Sequence, residues 1–355
     1  MLYQTTNPHG GDIYGRPIRL DYSVNTNPLG TPDSVKEAVV KAADELCRYP
    51  DPSCRSLISA LSKHMELPEE YILCGNGAAE LIFAYCNVLQ PKTALELSPT
   101  FSEYSRALES VGCRVKRYPL AMENDFRLTG DFLDVLRNSN AEILFLCNPN
   151  NPTGQLIEPG MLAEIVGICR ECGIRLFLDE CFLELSSAGR SASLMHILKD
   201  WPGLFLLNAF TKTYGMAGVR LGYGLCSDGK LLSAMSRRMQ PWNVSLLAQK
   251  AGLAALQESD WLERARELIG TQRAFLEEKL RECGLYVCPS QANFLLFYSD
   301  APLFDRLLEQ GVLLRDCSNY SGLGNGWVRA AVKTEKDNRI LSDMIAEVCR
   351  EISRG

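Results

Sequence analysis

Residues 142–179 read EILFLCNPNNPTGQLIEPGMLAEIVGICRECGIRLFLD. The apolar run Glu142–Cys147 has the length of a strand, and a loop with two Asn-Pro steps follows it. A helical pattern then covers Glu158–Cys172, and a second apolar run, Ile174–Asp179, ends on an acid. The same alternation continues on both sides. Upstream lie strands at Tyr71–Leu73, Thr93–Leu97 and Arg114–Arg117, with helices at Ala78–Leu89, Phe101–Val111 and near Gly130–Arg137. Downstream lie strands at Leu204–Asn208 and Gly222–Cys226. Strands that alternate with helices predict an α/β fold: a three-layer large domain on a mostly parallel sheet.

The flanks read differently. Residues 1–30 are rich in Gly, Pro and Asn and are expected to form an extended arm. A helix over 31–48, capped by Thr31 or Asp33 with Pro32 in its first turn, is expected to pack with a smaller domain. Arg48-Tyr49-Pro50-Asp51-Pro52 breaks it, and the large domain is expected over 49–245. After Ser245 a long helical stretch runs to about Cys283. Short strands at Asn293–Tyr298 and Val328–Val332 then mix with helices at Pro302–Gln310 and Thr334–Ile352. That mixture predicts a smaller α+β domain over 246–355, completed by the N-terminal helix.

A chain of 355 residues with 46% apolar residues can bury a large core, and its net charge of -6 carries no basic run. Neither a nucleic-acid partner nor a membrane is expected. Fourteen cysteines are scattered through apolar segments, with three histidines in the whole chain. No metal site is expected, and Cys169 and Cys172 fall inside a helical pattern without a second pair. Buried, reduced thiols in a cytoplasmic protein are the expectation.

Four loops follow strands and carry the chemistry, since ligands of open α/β sheets lie beyond the carboxyl ends of the strands. Cys74–Glu80 turns through Gly75 and Gly77 into a helix whose first N–H groups suit an anion, although a plain turn would read the same way. Cys147–Gly154 holds three asparagines, more than a turn requires, and an amide there can donate to a phenolate oxygen. Leu178–Phe182 ends a buried strand on Asp179, which needs a partner such as a pyridinium N–H, a salt bridge or a helix cap. Thr211–Arg220 sets Lys212 after an apolar strand and places Arg220 eight residues later, beyond a Gly-Ala-Gly stretch. A buried lysine has a lowered pKa and can form an imine with an aldehyde, and a guanidinium fork suits a phosphate.

These four loops, in this order, resemble the fold-type I pyridoxal-phosphate enzymes of the aspartate-aminotransferase superfamily, and the similarity spans essentially the whole chain. The resemblance implies pyridoxal 5′-phosphate as cofactor, with Lys212 as the imine lysine and Asp179 on the ring nitrogen. It implies that Asn151 donates to the ring's O3′ and that Phe101 stacks on the ring. Gly77, Ala78, Ala79, Thr211 and Arg220 would hold the phosphate. Tyr49 would reach it from a neighbouring subunit, which implies a homodimer.

Within that superfamily two branches compete. His9–Ile13, Tyr22–Gly30, Pro99–Tyr104 and Leu314–Leu323 look like the threonine-phosphate decarboxylases of cobalamin side-chain synthesis. Phe182 stands where the related aminotransferases commonly have a Tyr that donates to O3′. Between Gly11 and Tyr22 the chain is short and departs from the decarboxylase pattern. The resemblance implies that His9, Asn27, Arg315 and Arg329 bind a small phosphorylated amino acid or amine. Histidinol-phosphate-type or aromatic transamination is the alternative. A non-catalytic domain of a transcription regulator is disfavoured by the intact Lys212, Asp179 and Asn151 set.

Overall fold

The computed structural model describes residues 9–354. The first eight residues of the expected arm lie outside the described residues. In chain order the strands are β1 (Leu20–Asp21), β2 (Ile72–Gly75), β3 (Thr93–Ser98), β4 (Arg114–Pro119), β5 (Ile143–Cys147), β6 (Arg175–Asp179), β7 (Leu204–Ala209) and β8 (Gly222–Leu225). They continue as β9 (Tyr286–Val287), β10 (Phe294–Tyr298), β11 (Val312–Leu313), β12 (Arg315–Asp316) and β13 (Trp327–Ala331). The helices are α1 (Asp33–Ala42), α2 (Arg55–Met65), α3 (Ala78–Leu89), α4 (Glu103–Ser110), α5 (Asp131–Arg137) and α6 (Pro159–Cys172). After them come α7 (Phe210–Thr213), α8 (Gly229–Arg238), α9 (Leu246–Ala255), α10 (Trp261–Glu282), α11 (Leu303–Glu309) and α12 (Glu335–Arg354).

Seven strands form the large sheet in the order β2-β8-β7-β6-β5-β3-β4. β8 runs antiparallel to both of its neighbours, and the remaining pairings are parallel. Both faces are covered, which explains why the central strands are apolar without alternation. Leu144, Leu146, Leu176, Leu178, Leu204 and Leu206 share one core with α2, α5 and α6. Ile143, Phe145, Phe177, Phe205 and Leu207 share the other with α3, α4 and α8. Phe145, Phe177 and Phe205 are in register across β5, β6 and β7, stacked at 4.6 and 5.1 Å, and Tyr85 of α3 closes on all three. Such ring pairs add roughly 0.5–1.5 kcal/mol each beyond their buried area.

A four-stranded antiparallel sheet, β12-β13-β10-β9, packs on α10, α11 and α12 around Leu295, Phe297, Val328, Leu341 and Ile345. The arm enters this smaller body. β1 pairs in parallel with β11, and Tyr22 is fully buried in the same core. The N-terminal helix meets the first helix of the 246–355 stretch, α9, rather than this four-stranded sheet. α1 lies on α9, and Val35 shares its core with Leu57, Leu61, Ala248 and Ala251, on the side of the large sheet. α9 packs on α2 so closely that a Cβ at Gly252 would meet Leu57 at 2.9 Å. Thr31 does not cap α1 either: its hydroxyl donates to the Gly215 carbonyl at 2.8 Å.

None of the fourteen cysteines is in a disulfide. Ten are buried, but Cys47 and Cys172 are exposed and Cys283 and Cys349 half-buried, so burial is not uniform. Among the described residues no helix is long and apolar enough to cross a membrane.

Candidate active site

The carboxyl ends of β5, β6 and β7 open into a cavity of about 390 Å³ between the large sheet and the smaller one. β5 leads to Asn151, β6 ends on Asp179, and β7 runs into the single turn of α7, which carries Thr211 and Lys212. Because β8 is antiparallel, its first residues lie at this same edge. That brings Arg220, two residues before β8, to the mouth of the same cavity.

One end of the cavity has the chemistry of an anion site. Gly77 caps α3 at φ +78°, and a Cβ there would collide with the Arg220 guanidinium. A Cβ at Gly222 would stand 2.7 Å from the Ala78 nitrogen. Two glycines thus let a guanidinium and a helix N-terminus share one small space, with Ala78, Ala79 and Thr211 also lining it. Arg220 is itself left-handed at φ +63°, a conformation that costs a non-glycine residue free energy and persists where the surroundings demand it.

The middle of the cavity suits a flat ring with polar groups on its rim. Asp179 is buried, and its Oδ1 accepts from the Cys181 amide at 2.9 Å while its Oδ2 accepts from the Tyr104 hydroxyl at 2.6 Å. Burial pushes the carboxyl above the usual aspartate range, and the two donors and the nearby Lys212 pull it back down. Asn151 Oδ1 accepts from Arg329 Nη1 and, at 3.3 Å, from the Tyr320 hydroxyl. That fixes the amide, and its NH₂ group remains for the cavity. Phe101 lines the wall. Phe182 is buried edge-on against Phe294 at 5.1 Å, with Lys212 Nζ 5.7 Å from its ring centre. Burial, followed by the charge of Arg329, lowers the Lys212 ammonium to about 8. An anion cradle, a buried carboxylate, a fixed amide donor and a lysine of lowered pKa fit a phosphorylated pyridine aldehyde.

Asn27 does not reach the cavity. It is buried beneath the Lys212 loop, where its amide N–H donates to the Lys212 carbonyl at 3.0 Å and its Nδ2 to the Thr213 carbonyl at 2.7 Å. Gly215, at φ +61°, leaves no room for a Cβ against Gly30. The arm therefore braces the lysine from below, and the asparagine that faces the cavity is Asn25.

Arg315 and Arg329 both line the wall that the smaller sheet supplies. Arg329 Nη2 donates to the Ser23 carbonyl at 3.0 Å, and the Asn25 amide oxygen, turned toward it, accepts from Nη1 and Nε at 3.2 and 3.3 Å. These acceptors are neutral, so the guanidinium's charge is available to an anion. Arg315 Nη2 donates to Asn319 Oδ1 at 2.8 Å, and the guanidinium lies 5.1 Å from the centre of the Tyr320 ring. At the mouth His9 Nε2 meets Glu103 Oε1 at 2.8 Å, a contact that holds Glu103 below the usual glutamate range.

Tyr49 is not among the lining residues. It is 78% exposed and stacks on Trp242 at 4.6 Å. Of the three asparagines after β5, two serve the loop: Asn148 Oδ1 accepts from the Ile157 amide at 2.8 Å, and Asn150 bonds Thr100, Thr153 and Pro99. Asn25, Tyr104, Tyr320, Glu103 and Arg106 escaped the sequence reading as site residues. Tyr104 and Tyr320 lie in stretches already singled out, but neither has a local pattern that aims it at the site. Glu103 and Arg106, one helical turn apart, carry the weak signal of an i, i+3 pair.

The chain is 38% identical over 338 residues to a threonine-phosphate decarboxylase of Salmonella typhimurium, covering 94% of this chain and 92% of that one. It is 30% identical over 335 residues to a histidinol-phosphate aminotransferase of Methanococcus aeolicus, covering 91% and 88%. The crystal structure of the histidinol-phosphate aminotransferase from Clostridium acetobutylicum superposes with a TM-score of 0.86 at 28% identity, over 94% of this chain and 99% of that one. A family model, aminotransferase class I and II, matches residues 17–345. The chain belongs to the aminotransferase class I and II family.

Proposed function

We propose that this chain is a pyridoxal-phosphate enzyme that decarboxylates a short phosphorylated amino acid, O-phosphothreonine, to the corresponding amino alcohol phosphate. The observation that carries the substrate class is the pair Arg315 and Arg329, opposed across β12 and β13 on one wall of the cavity. Two guanidiniums so close suit a substrate with two anionic ends a few bonds apart. O-phosphothreonine has a carboxylate and a phosphate on such a frame. Histidinol phosphate has no carboxylate, but the glutamate that transamination also uses has two, so the pair fits both reactions and the choice between them rests on the relatives. The greater identity to a protein named threonine-phosphate decarboxylase favours decarboxylation.

Bound pyridoxal phosphate supplies an electron sink for a bond broken at the substrate's α-carbon. Gly77, Ala78, Ala79, Thr211 and Arg220 would hold its phosphate, Asp179 its ring nitrogen and Asn151 its phenolate oxygen. Phe101 would lie on the ring face. Arg329 would grip the substrate carboxylate, and Arg315 with His9 the phosphate. Together they would orient the substrate so that the bond to its carboxylate, rather than the bond to hydrogen, is the one broken. Lys212 would carry the cofactor as an imine; as a free amine in this site, burial lowers its pKa to about 8, so it would be mostly protonated at neutral pH. It can therefore give the α-carbon the proton that takes the place of carbon dioxide. The balance is amino acid plus one proton to amine plus carbon dioxide.

Tyr49, exposed on a helix break, would complete the phosphate site of a second subunit, which makes the working unit a homodimer, in the cytoplasm. Mixed dimers of inactive Tyr49→Ala and Lys212→Ala chains should regain one intact site and part of the parent activity. The main test is a single turnover with O-phosphothreonine. Release of carbon dioxide with return of the aldehyde cofactor supports the proposal. Formation of the amine form of the cofactor without carbon dioxide would reverse it in favour of histidinol-phosphate-type transamination.

A further inference from the structure

Asp179 has a back side as well as a cavity side. Tyr104 rises from α4 through the core, fully buried, and gives its hydroxyl hydrogen to Asp179 Oδ2 at 2.6 Å. Asp179 lines the cavity and Tyr104 does not, so the phenol arrives from behind. Its ring is gripped by Phe101 and Phe145, each at 5.5 Å, and by Phe177 at 6.4 Å. A carboxylate offers about four acceptor positions. Tyr104 and the Cys181 amide fill two of them from the core.

We propose that Tyr104 is a positioning residue for the reaction: its hydroxyl fixes the Asp179 rotamer and holds the carboxylate as an anion toward the ring nitrogen of the cofactor. The inference rests on Asp179 facing that nitrogen. The titratable groups around Asp179 are Tyr104 from α4, Cys147 at the end of β5, Cys181 and Glu180 in its own loop and Lys212 from α7. Burial raises both thiols and Glu180 and so favours their neutral forms. The two donors at Asp179 and Lys212 are what offset its own burial.

The direction follows. A donor to the ionised form lowers a carboxyl's proton affinity, so its loss makes Asp179 the stronger base. The shared proton then moves from ring nitrogen toward carboxylate. Hydrogen bonds to buried charged groups correspond to roughly one to two powers of ten in equilibrium.

The test uses holoenzyme loaded with cofactor labelled with nitrogen-15 in the ring. In Tyr104→Phe the ring signal should move toward the unprotonated pyridine value, and the acid limb of kcat should move to higher pH by roughly one to two units. KM should stay within about twofold, since substrate groups are untouched. Fluorotyrosine placed at position 104, nearly the same shape but a stronger donor, should move the acid limb to lower pH. An unchanged ring signal and pH profile in Tyr104→Phe overturns the proposal. If that variant does not fold, an unmoved profile in the fluorotyrosine protein overturns it. Asp179→Asn separates the two levels: a ring signal still protonated there removes Asp179 itself from the ring nitrogen, whereas a signal lost there and retained in Tyr104→Phe rejects the role of Tyr104 alone.

Discussion

Arg315 and Arg329 are directly opposed across the β12–β13 ladder, so their side chains leave the small sheet on the same face. Like charges placed directly opposite each other destabilise a sheet by themselves. Here the face they share is a cavity wall, and an anionic substrate would turn the repulsion into attraction. Arg329 also holds Asn151, whereas Arg315 holds Asn319. The two arginines should therefore fail differently. Arg315→Ala should lower kcat/KM for a phosphorylated substrate by about 2–5 kcal/mol and barely change that for the unphosphorylated amino acid. Arg329→Ala should depress both and should also alter the cofactor's absorbance, because Asn151 loses its brace. Steady-state kinetics with the two substrates check this, and equal losses for Arg315→Ala would count against a phosphate role.

Lys212 is a buried cation before it is a bond to anything. Its folded pKa of about 8 lies below the usual 10.5, so between those values the unfolded chain holds more protons and stability rises with pH. Below that window the full cost of the buried charge is present. Cofactor-free Lys212→Met should accordingly be more stable than the parent by up to about 3 kcal/mol at neutral pH. The difference should shrink above a pH of about 8 and vanish beyond the usual lysine range. Urea unfolding of both proteins across pH measures it. A constant difference would mean that Lys212 is not the titrating group.

Covalent loading gives a second reading of the same pKa. The rate at which cofactor-free protein bonds the aldehyde should rise about tenfold per pH unit and level off near 8. Stopped-flow absorbance follows it. A rate that keeps climbing to the usual lysine range would show an amine that burial does not perturb.

Gly77→Ala places a methyl group against the Arg220 guanidinium, on backbone already at φ +78°. Strain of about 1–3 kcal/mol at such a residue translates into roughly ten- to hundredfold weaker cofactor binding. Fluorescence titration of the cofactor-free variant should show it, beside a melting temperature lowered by the same strain. Unchanged affinity would separate Arg220 from the phosphate.

Phe182→Tyr adds a hydroxyl to a ring packed edge-on against Phe294. A buried hydroxyl without a partner costs about 1–3 kcal/mol, so the cofactor-free variant should melt below the parent. If that hydroxyl faces the phenolate oxygen, cofactor binding should restore most of the loss and shift the visible band. Calorimetry of both forms decides it, and an equal deficit with and without cofactor would place the hydroxyl elsewhere.

The α/β alternation, the apolar strands and the loops holding Lys212, Asp179, Asn151 and Arg220 were legible in the chain alone. Strand and helix periodicity, and the polar residue that ends an apolar run, are local properties, recorded within ten or so residues of one another. What joins those loops is not local. Nothing near Gly222 states that β8 runs antiparallel, yet that direction carries Arg220 to the edge where Gly77 waits. The irregular arm has no period, so sequence could not choose between Asn25 in the cavity and Asn27 beneath Lys212. Likewise the apolar face of α1 does not name its partner within the 246–355 stretch, and the fold gives it to α9. Tyr104 looks like any core tyrosine until the fold sets Asp179 above it. Pairings between distant segments depend on the summed burial and hydrogen bonding of the whole chain, and no window of sequence contains that sum.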